Sequence, residues 1–173
     1  ETGTTTTTSV VADGTHEQGT TYTDGGATAV DNIDGDITDK IVTLNPVDSS
    51  VAGTYTVTYN VSDAAGNAAD EVKREVVVSD TQVPVITLAG AASVSVELGY
   101  NYTDAGATAA DVADGDLTSS IVTVSTVDVT TAGTYTVTYN VTDAAGNVAT
   151  QVVRTVTVTG DVTVPVITLL GDP

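Results

Sequence analysis

Carboxylates are the side chains best placed to do chemistry in this chain. Of 173 residues, 23 are acidic and four basic, a net charge of −19. The acids fall into short recurring groups. Asp31-Asn-Ile-Asp34-Gly-Asp36 is echoed by Asp111-Val-Ala-Asp114-Gly-Asp116, and Asp63-Ala-Ala-Gly-Asn67 by Asp143-Ala-Ala-Gly-Asn147. A glycine between two carboxylates lets the loop turn tightly. Hard cations such as Ca²⁺ take roughly six to eight oxygen ligands of this kind. Without a cation such a group repels itself, by about 1 kcal/mol per pair at about 4 Å in water. The same residue types also build ordinary turns, in which Asp accepts bonds from its own backbone. The pattern is not the regular ligand series of an EF-hand. The sequence leaves both readings open.

Other chemistry is poorly served. His16 is the single histidine, and its counterpart in the repeat described below is Val96. Paired Asp side chains can act as acid and base in glycosidases, but such enzymes need aromatic platforms, and the chain has no Trp or Phe. There is no Ser/His/Asp set, phosphate loop or amphipathic helix. No catalytic residue is assigned, and a non-enzymatic role is expected. Phosphate binding needs Lys and Arg, so a nucleic-acid partner is excluded. No apolar run is long enough to span a bilayer, so membrane insertion is not expected. The absence of Cys removes disulfides and thiolate metal sites.

The elements that must position these acids form a repeat, and a repeat governs the whole fold reading. Gly19–Val78 matches Gly99–Val158 without a gap, with about 38 of 60 positions identical. Val83-Pro-Val-Ile-Thr-Leu88 returns as Val164-Pro-Val-Ile-Thr-Leu169. The expected boundaries are residues 4–79 for the first repeat, 80–160 for the second, and 161–173 for a linker and the first strand of a third. β-Branched Thr and Val dominate and favour pleated strands. In the second repeat the expected strands are Pro84–Ala89, Ser93–Leu98, Tyr102–Ala109, Leu117–Thr126, Thr134–Val141 and Val148–Thr159. Tyr135, Val137, Tyr139 and Val141 alternate with polar residues and share one face. Short strands separated by Gly- and Asp-rich turns imply all-β sandwiches.

Gly53-Thr-Tyr55-Thr-Val57 and Gly133-Thr-Tyr135-Thr-Val137 are more specific. In immunoglobulin domains a tyrosine at this point bonds back to the backbone, two residues before a cysteine. Here Tyr55 and Tyr135 fit that corner, with Val57 and Val137 in the cysteine's place. Together with the Asp-x-x-Asp-Gly-Asp loop and the Asp-Ala-Ala-Gly-Asn turn, the pattern resembles the bacterial immunoglobulin-like repeat of large surface adhesins. It also resembles a repeat of certain pesticidal crystal toxins and, distantly, the hyalin repeat. The resemblance implies two tandem immunoglobulin-like β-sandwiches end to end, in an extracellular or cell-surface protein. Fold alone does not give function.

In a sandwich of this topology, the loop at Asp111–Asp116, the loop at Asp143–Asn147 and the linker from Asp80 are expected at one end of the second domain. The candidate metal ligands are therefore Asp80, Asp111, Asp114, Asp116 and Asp143, with Asp31, Asp34, Asp36 and Asp63 as the first-repeat set. Adhesin repeats often hold Ca²⁺ at interdomain joints, so the resemblance implies calcium there.

Asn60, Asn101 and Asn140 fit glycosylation sequons, relevant only in a eukaryotic host. A repeated Lys crosslink is excluded, because Lys40 and Lys73 correspond to Ser120 and Val153. In the first repeat Thr4–Ser9 occupies the register of the Pro-Val-Ile-Thr-Leu strand, with Thr4–Val11 read as a poorer version of it. Pro165–Leu170 is a spare copy. Either the boundaries cut a longer array, or copies pair by strand addition. The expected partners are thus neighbouring repeats and, by strand addition, other copies of the chain. The expected function is a spacer or stalk stiffened by Ca²⁺. The alternatives are a filament subunit joined by a donated strand, or a glycan- or cell-surface-binding accessory module of a secreted enzyme or toxin.

Overall fold

A computed structural model describes residues 9–171. The chain divides into two compact units, Glu1–Gln82 and Val83–Pro173. Unit 1 contains β1 (Ser9–Glu17), β2 (Val30–Asp31), β3 (Gly35–Asp36), β4 (Val42–Leu44), β5 (Gly53–Asn60) and β6 (Val72–Ser79). They form a sheet of order β1-β6-β5-β4 and a hairpin β2-β3. Unit 2 contains β7 (Val85–Leu88), β8 (Ser93–Glu97), β9 (Ala107–Asp111), β10 (Gly115–Asp116), β11 (Val122–Ser125), β12 (Gly133–Asn140) and β13 (Val152–Thr159). Its sheets run β11-β12-β13-β8 and β10-β9-β7. Each unit is an immunoglobulin-like β-sandwich.

The core follows from period-two alternation. In unit 2, Val137, Tyr139, Val141 and Val156 are buried and pack with Ile86, Ala109 and Ala149. In unit 1, Val57, Tyr59, Val76 and Val78 form the matching cluster. The expected strand Thr134–Val141 therefore forms almost as read.

Three strands are shorter than expected, and one of them, Val148–Thr159, begins only at Val152. Tyr102–Ala109 becomes a strand only from Ala107. Gly106 sits at φ +80°, a left-handed conformation that ends pleated pairing on its N-terminal side. Leu117–Thr126 is interrupted by a 3₁₀ turn at Thr118–Ser120. Asp116 caps that turn by accepting the Thr118 N–H at 2.9 Å. The turn brings Leu117 and Ile121, four residues apart, onto the same core.

The largest correction concerns the first strand. In unit 2 the chain enters as β7, antiparallel to β9, with Ile86 opposite Ala109. It then crosses to the other sheet and runs as β8, parallel to β13. In unit 1, Ser9–Val11 do not take the β7 position. They lie in β1, parallel to β6 along Val72–Arg74. Thr4–Thr8 fall outside the described residues. Among the described residues nothing pairs with the outer edge of Ala27–Asp31. A cavity of about 440 Å³ opens beside it, lined by Ala27, Ala29, Ile37, Tyr59, Val61 and Ala69 among others.

Candidate functional site

Three constellations recur in both units. The first is the acidic loop end. Asp31 Oδ1 accepts the N–H groups of Ile33 at 2.7 Å and Asp34 at 2.8 Å. Asp111 Oδ1 does the same for Ala113 at 2.8 Å and Asp114 at 3.2 Å. Gly35 at φ +73° and Gly115 at φ +72° then close three-residue hairpin loops, where a β-carbon would strain the left-handed backbone. Asp34 Oδ2 reaches across to the Ala64 N–H at 2.7 Å, and Asp114 Oδ2 to the Ala144 N–H at 2.7 Å. Both acidic segments of each unit therefore meet, joined by one carboxylate. Asp36 and Asp116 cap the following 3₁₀ turns through Thr38 and Thr118.

Asp63 receives Asn67 N–H at 2.7 Å and Asn67 Nδ2 at 2.6 Å. Asp143 makes the same pair of bonds, at 2.7 and 2.9 Å. The Asn67 side chain holds the Asp63 carboxyl below the usual carboxylate range. Burial pushes Asp143 upward, but the Asn147 bonds outweigh it and leave the carboxyl lowered. Asp80 follows β6 in the first unit.

The fit to calcium is partial. Asp111, Asp114 and Asp116 each commit one oxygen to loop backbone, and both Asp143 oxygens bond to Asn147. Among the described residues, neither Asp116 with Asp111 and Asp114 nor the first-repeat acids Asp31, Asp34, Asp36 and Asp63 bring three carboxylates within ligand distance of one another. The two remaining oxygens of Asp111 and Asp114 fall short of the roughly six to eight that Ca²⁺ takes, so carbonyls, water or further carboxylates must complete a site.

The second constellation was not found from sequence. Arg154 is buried at 1% exposure. It donates from Nε to Ala91 O at 3.0 Å, from one terminal nitrogen to Ala89 O and to Gly106 O at 3.1 Å, and from the other to Asp104 and to the Tyr139 hydroxyl at 3.1 Å. Asp104 also accepts the hydroxyls of Tyr139 at 2.5 Å and Tyr102 at 2.7 Å. Burial raises the Asp104 carboxyl, yet the Tyr139, Tyr102 and Arg154 donors hold it below its ordinary value. In unit 1, Tyr59 donates to Asp24 at 2.6 Å, while Arg74 lies 3.4 Å from Asp24 and donates to Gly26 O at 2.9 Å. Burial and Asp24 push the Tyr59 phenol up to about 12. The available signal was simple. Arg74 and Arg154 are the only two of the four basic residues that occupy matching repeat positions.

The third constellation is a clasp where the chain leaves each unit. Glu17, at the end of β1, accepts the Thr81 N–H at 3.0 Å and the Thr81 hydroxyl at 2.5 Å. Glu97, at the end of β8, accepts the N–H groups of Val162 and Thr163 at 2.8 Å each and the Thr163 hydroxyl at 2.7 Å. Thr81 holds the Glu17 carboxyl below its usual value, and Thr163 does the same for Glu97. Glu17 and Glu97 also stand at matching positions, a pairing not used in the sequence reading.

Tyr55 donates to Val51 O and Tyr135 to Thr131 O, each at 2.9 Å, pinning the turn before β5 and β12. Asn60 and Asn101 are exposed, and Asn140 is half-buried and accepts a bond from Gln151. His16 stacks edge-on against Tyr22 and bonds to Thr20, a packing role. No described helix is long and apolar enough to cross a membrane.

Residues 7–78 and 86–158 both match the family described as "Bacterial surface protein, Ig-like domain". The chain belongs to that family. It is 38% identical over 136 residues to the pesticidal crystal protein Cry22Aa of Bacillus thuringiensis, a match covering 75% of this chain and 18% of that protein. Among solved structures it is similar to the M60 catalytic domain with the CBM51-1 and CBM51-2 domains of Clostridium perfringens ZmpB, at TM-score 0.54 and 12% identity. That likeness covers 85% of this chain and 30% of the other, and it bears on fold alone. The lipoprotein BT2262 of Bacteroides thetaiotaomicron is 25% identical over 48% of this chain and 41% of that chain, at a TM-score of 0.41, too low to argue from. The family and the fold together support an extracellular structural or binding module.

Proposed function

We propose that the chain is a non-catalytic spacer of a bacterial surface protein, a run of sandwich modules that holds other parts at a set distance. The observation that carries this reading is the clasp built twice. Each unit uses one carboxylate, Glu17 or Glu97, to fix the path of its own exit strand. A module that only presented a binding face would gain nothing from controlling where its chain departs. The loops most free to vary are instead repeated almost unchanged, and their acids are largely committed to holding their own turns. Repeat arrays in which each unit touches only its neighbours suit this work.

The test is length. Chains of one, two, four and eight units measured by small-angle scattering should gain a constant increment in maximum dimension per unit. Growth with the square root of unit number, as for a flexible chain, would contradict the spacer reading.

We also propose that Asp111 and Asp114 offer their second oxygens to Ca²⁺ when a site is completed. Bound calcium would cancel the repulsion within the loop and stiffen it. Thermal melts should shift upward with Ca²⁺ and return with chelator, and identical melts would remove calcium from the account. A second reading, an accessory module of a secreted toxin, draws on the identity to the crystal protein. Saturable binding to a glycan array would favour it over the spacer.

A further inference from the structure

We propose that each unit is a force-bearing module, whose resistance to pulling lies in the bonds between its entering and its leaving strands. In unit 2 the chain enters through β7, crosses at Ala89–Ala92, runs on as β8 and finally leaves through β13. β8 and β13 are parallel neighbours, paired from Ser93↔Thr155 to Glu97↔Thr159. Tension along the chain therefore drags these two strands in opposite directions along their own axes. The bonds between strands lie across that axis, so the whole ladder is strained at once. Pulled sideways, a ladder of the same kind opens one bond at a time.

The bonds flanking this ladder tie the same two parts of the chain. At its start, the Thr155 N–H reaches Ala92 O at 2.9 Å, and Arg154 donates to Ala89 O and Ala91 O. All three acceptors lie in the crossing between β7 and β8. At its end, the Leu98 N–H reaches Thr159 O at 3.1 Å, and Glu97 holds the amides of Val162 and Thr163. Burial does little to hold β8, since none of Ser93–Glu97 is fully buried. Its attachment is made chiefly of polar bonds to the leaving strand.

Unit 1 repeats the arrangement with other residues. β1 runs parallel to β6, from Ser9↔Val72 to Glu17↔Ser79. Val10 and Val11 are 57% and 56% exposed, so this strand also lacks a core anchor. The Gln18 N–H reaches Ser79 O at 3.0 Å, Glu17 holds the Thr81 and Gln82 amides, and Arg74 lies 3.8 Å from Asp13 in β1. Between Ser9–Glu17 and Ala89–Glu97 only Ala12/Ala92 and Glu17/Glu97 agree in register. The parallel tie to the leaving strand is kept while the side chains around it change. This inference does not rest on the spacer reading, because an array can hold its length in solution and still open easily under force.

The test is single-molecule pulling in an optical trap. The full chain held at its two ends should give two unfolding steps, one per unit. The comparison holds the same chain through Thr134→Cys and Gly160→Cys, both exposed positions in a chain that has no other Cys. These flank the Gly133↔Val158 end of the β12–β13 pair, so force there peels the two strands apart sideways. Unit 2 should open in that direction at several-fold lower force than either end-to-end step. Ala92 O and Leu98 N–H both face β13, so by alternation the Val96 N–H does too, and the Ser95 N–H faces the open edge. Val96→Pro removes a ladder donor and should lower one end-to-end step, whereas Ser95→Pro removes none and should leave both steps unchanged. Equal forces in the two pulling directions would overturn the proposal, as would end-to-end steps of Val96→Pro that match those of Ser95→Pro. The comparison of directions leaves β8 unaltered, so it decides the matter even if Val96→Pro fails to fold.

Discussion

Removing Arg154 should destabilise unit 2 far more than removing Arg74 destabilises unit 1. Replacement by Met keeps most of the apolar stem and removes the donors. Arg154 is 1% exposed and serves three backbone carbonyls, a carboxylate and a phenol oxygen. Breaking a buried pair of this kind costs about 3–5 kcal/mol, because carbonyls and a carboxylate are left without their partner. The Arg74 side chain is 20% exposed, sits 3.4 Å from Asp24 and 3.8 Å from Asp13, and bonds to one carbonyl. Its loss should cost about 1–2 kcal/mol, one charged hydrogen bond plus a screened pair. The gap of about 2–3 kcal/mol is roughly 30- to 150-fold in the unfolding constant. The assay is urea titration of ¹⁵N-labelled full chain, read separately from cross-peaks of each unit, since a single tyrosine signal would mix two transitions. Equal losses in the two units, or a larger loss for Arg74→Met, would refute the claim that Arg154 is the buried keystone of its sandwich.

Three further outcomes follow from the same geometry. Tyr135→Phe should cost unit 2 about 1 kcal/mol in a urea melt, the net value of the bond to Thr131 O, and Tyr55→Phe should do the same in unit 1. Gly115→Ala places a β-carbon at φ +72°, in open space, so about 1 kcal/mol of backbone strain should appear in the melt with no steric clash. Asp104 has a folded pKa below its unfolded value, so it contributes stability that is complete above the ordinary carboxylate range, about pH 4, and is lost as pH falls through the folded value. Acid titration of unit 2 should show that loss, and Asp104→Asn should flatten it.

Much of this fold is legible because strand alternation is a local signal. Tyr135, Val137, Tyr139 and Val141 declare their shared face without help from distant residues. The repeat then transfers each reading to unit 1. The errors arise where local pattern and long-range contact diverge. Tyr102-Thr-Asp104 alternates like a strand, but Asp104 turns inward to meet Arg154, some 50 residues later, and Gly106 delays the pleat. Leu117 and Ile121 are four apart, a spacing that a strand would also place on one face, so the 3₁₀ turn between them leaves no mark on the pattern. In the acidic loops the sequence shows the clustering. It does not show that Asp34 and Asp114 cross to the neighbouring loop, because that bond spans 30 residues. Arg74 and Arg154 leave little trace in the net charge, because four bases among 23 acids register only as a deficit. The clasp glutamates were hidden by their exposure, since a surface carboxylate carries no pattern until its partner strand is placed.

The central claim is that each module fixes the departure of its chain. The direct measurement is amide hydrogen exchange at Thr81 and Gln82, read by NMR for the full chain and for Glu17→Ala. Wild type should protect both amides, and the variant, lacking the carboxylate that accepts them, should lose that protection with unit 1 still folded. Equal exchange in the two proteins would contradict the account.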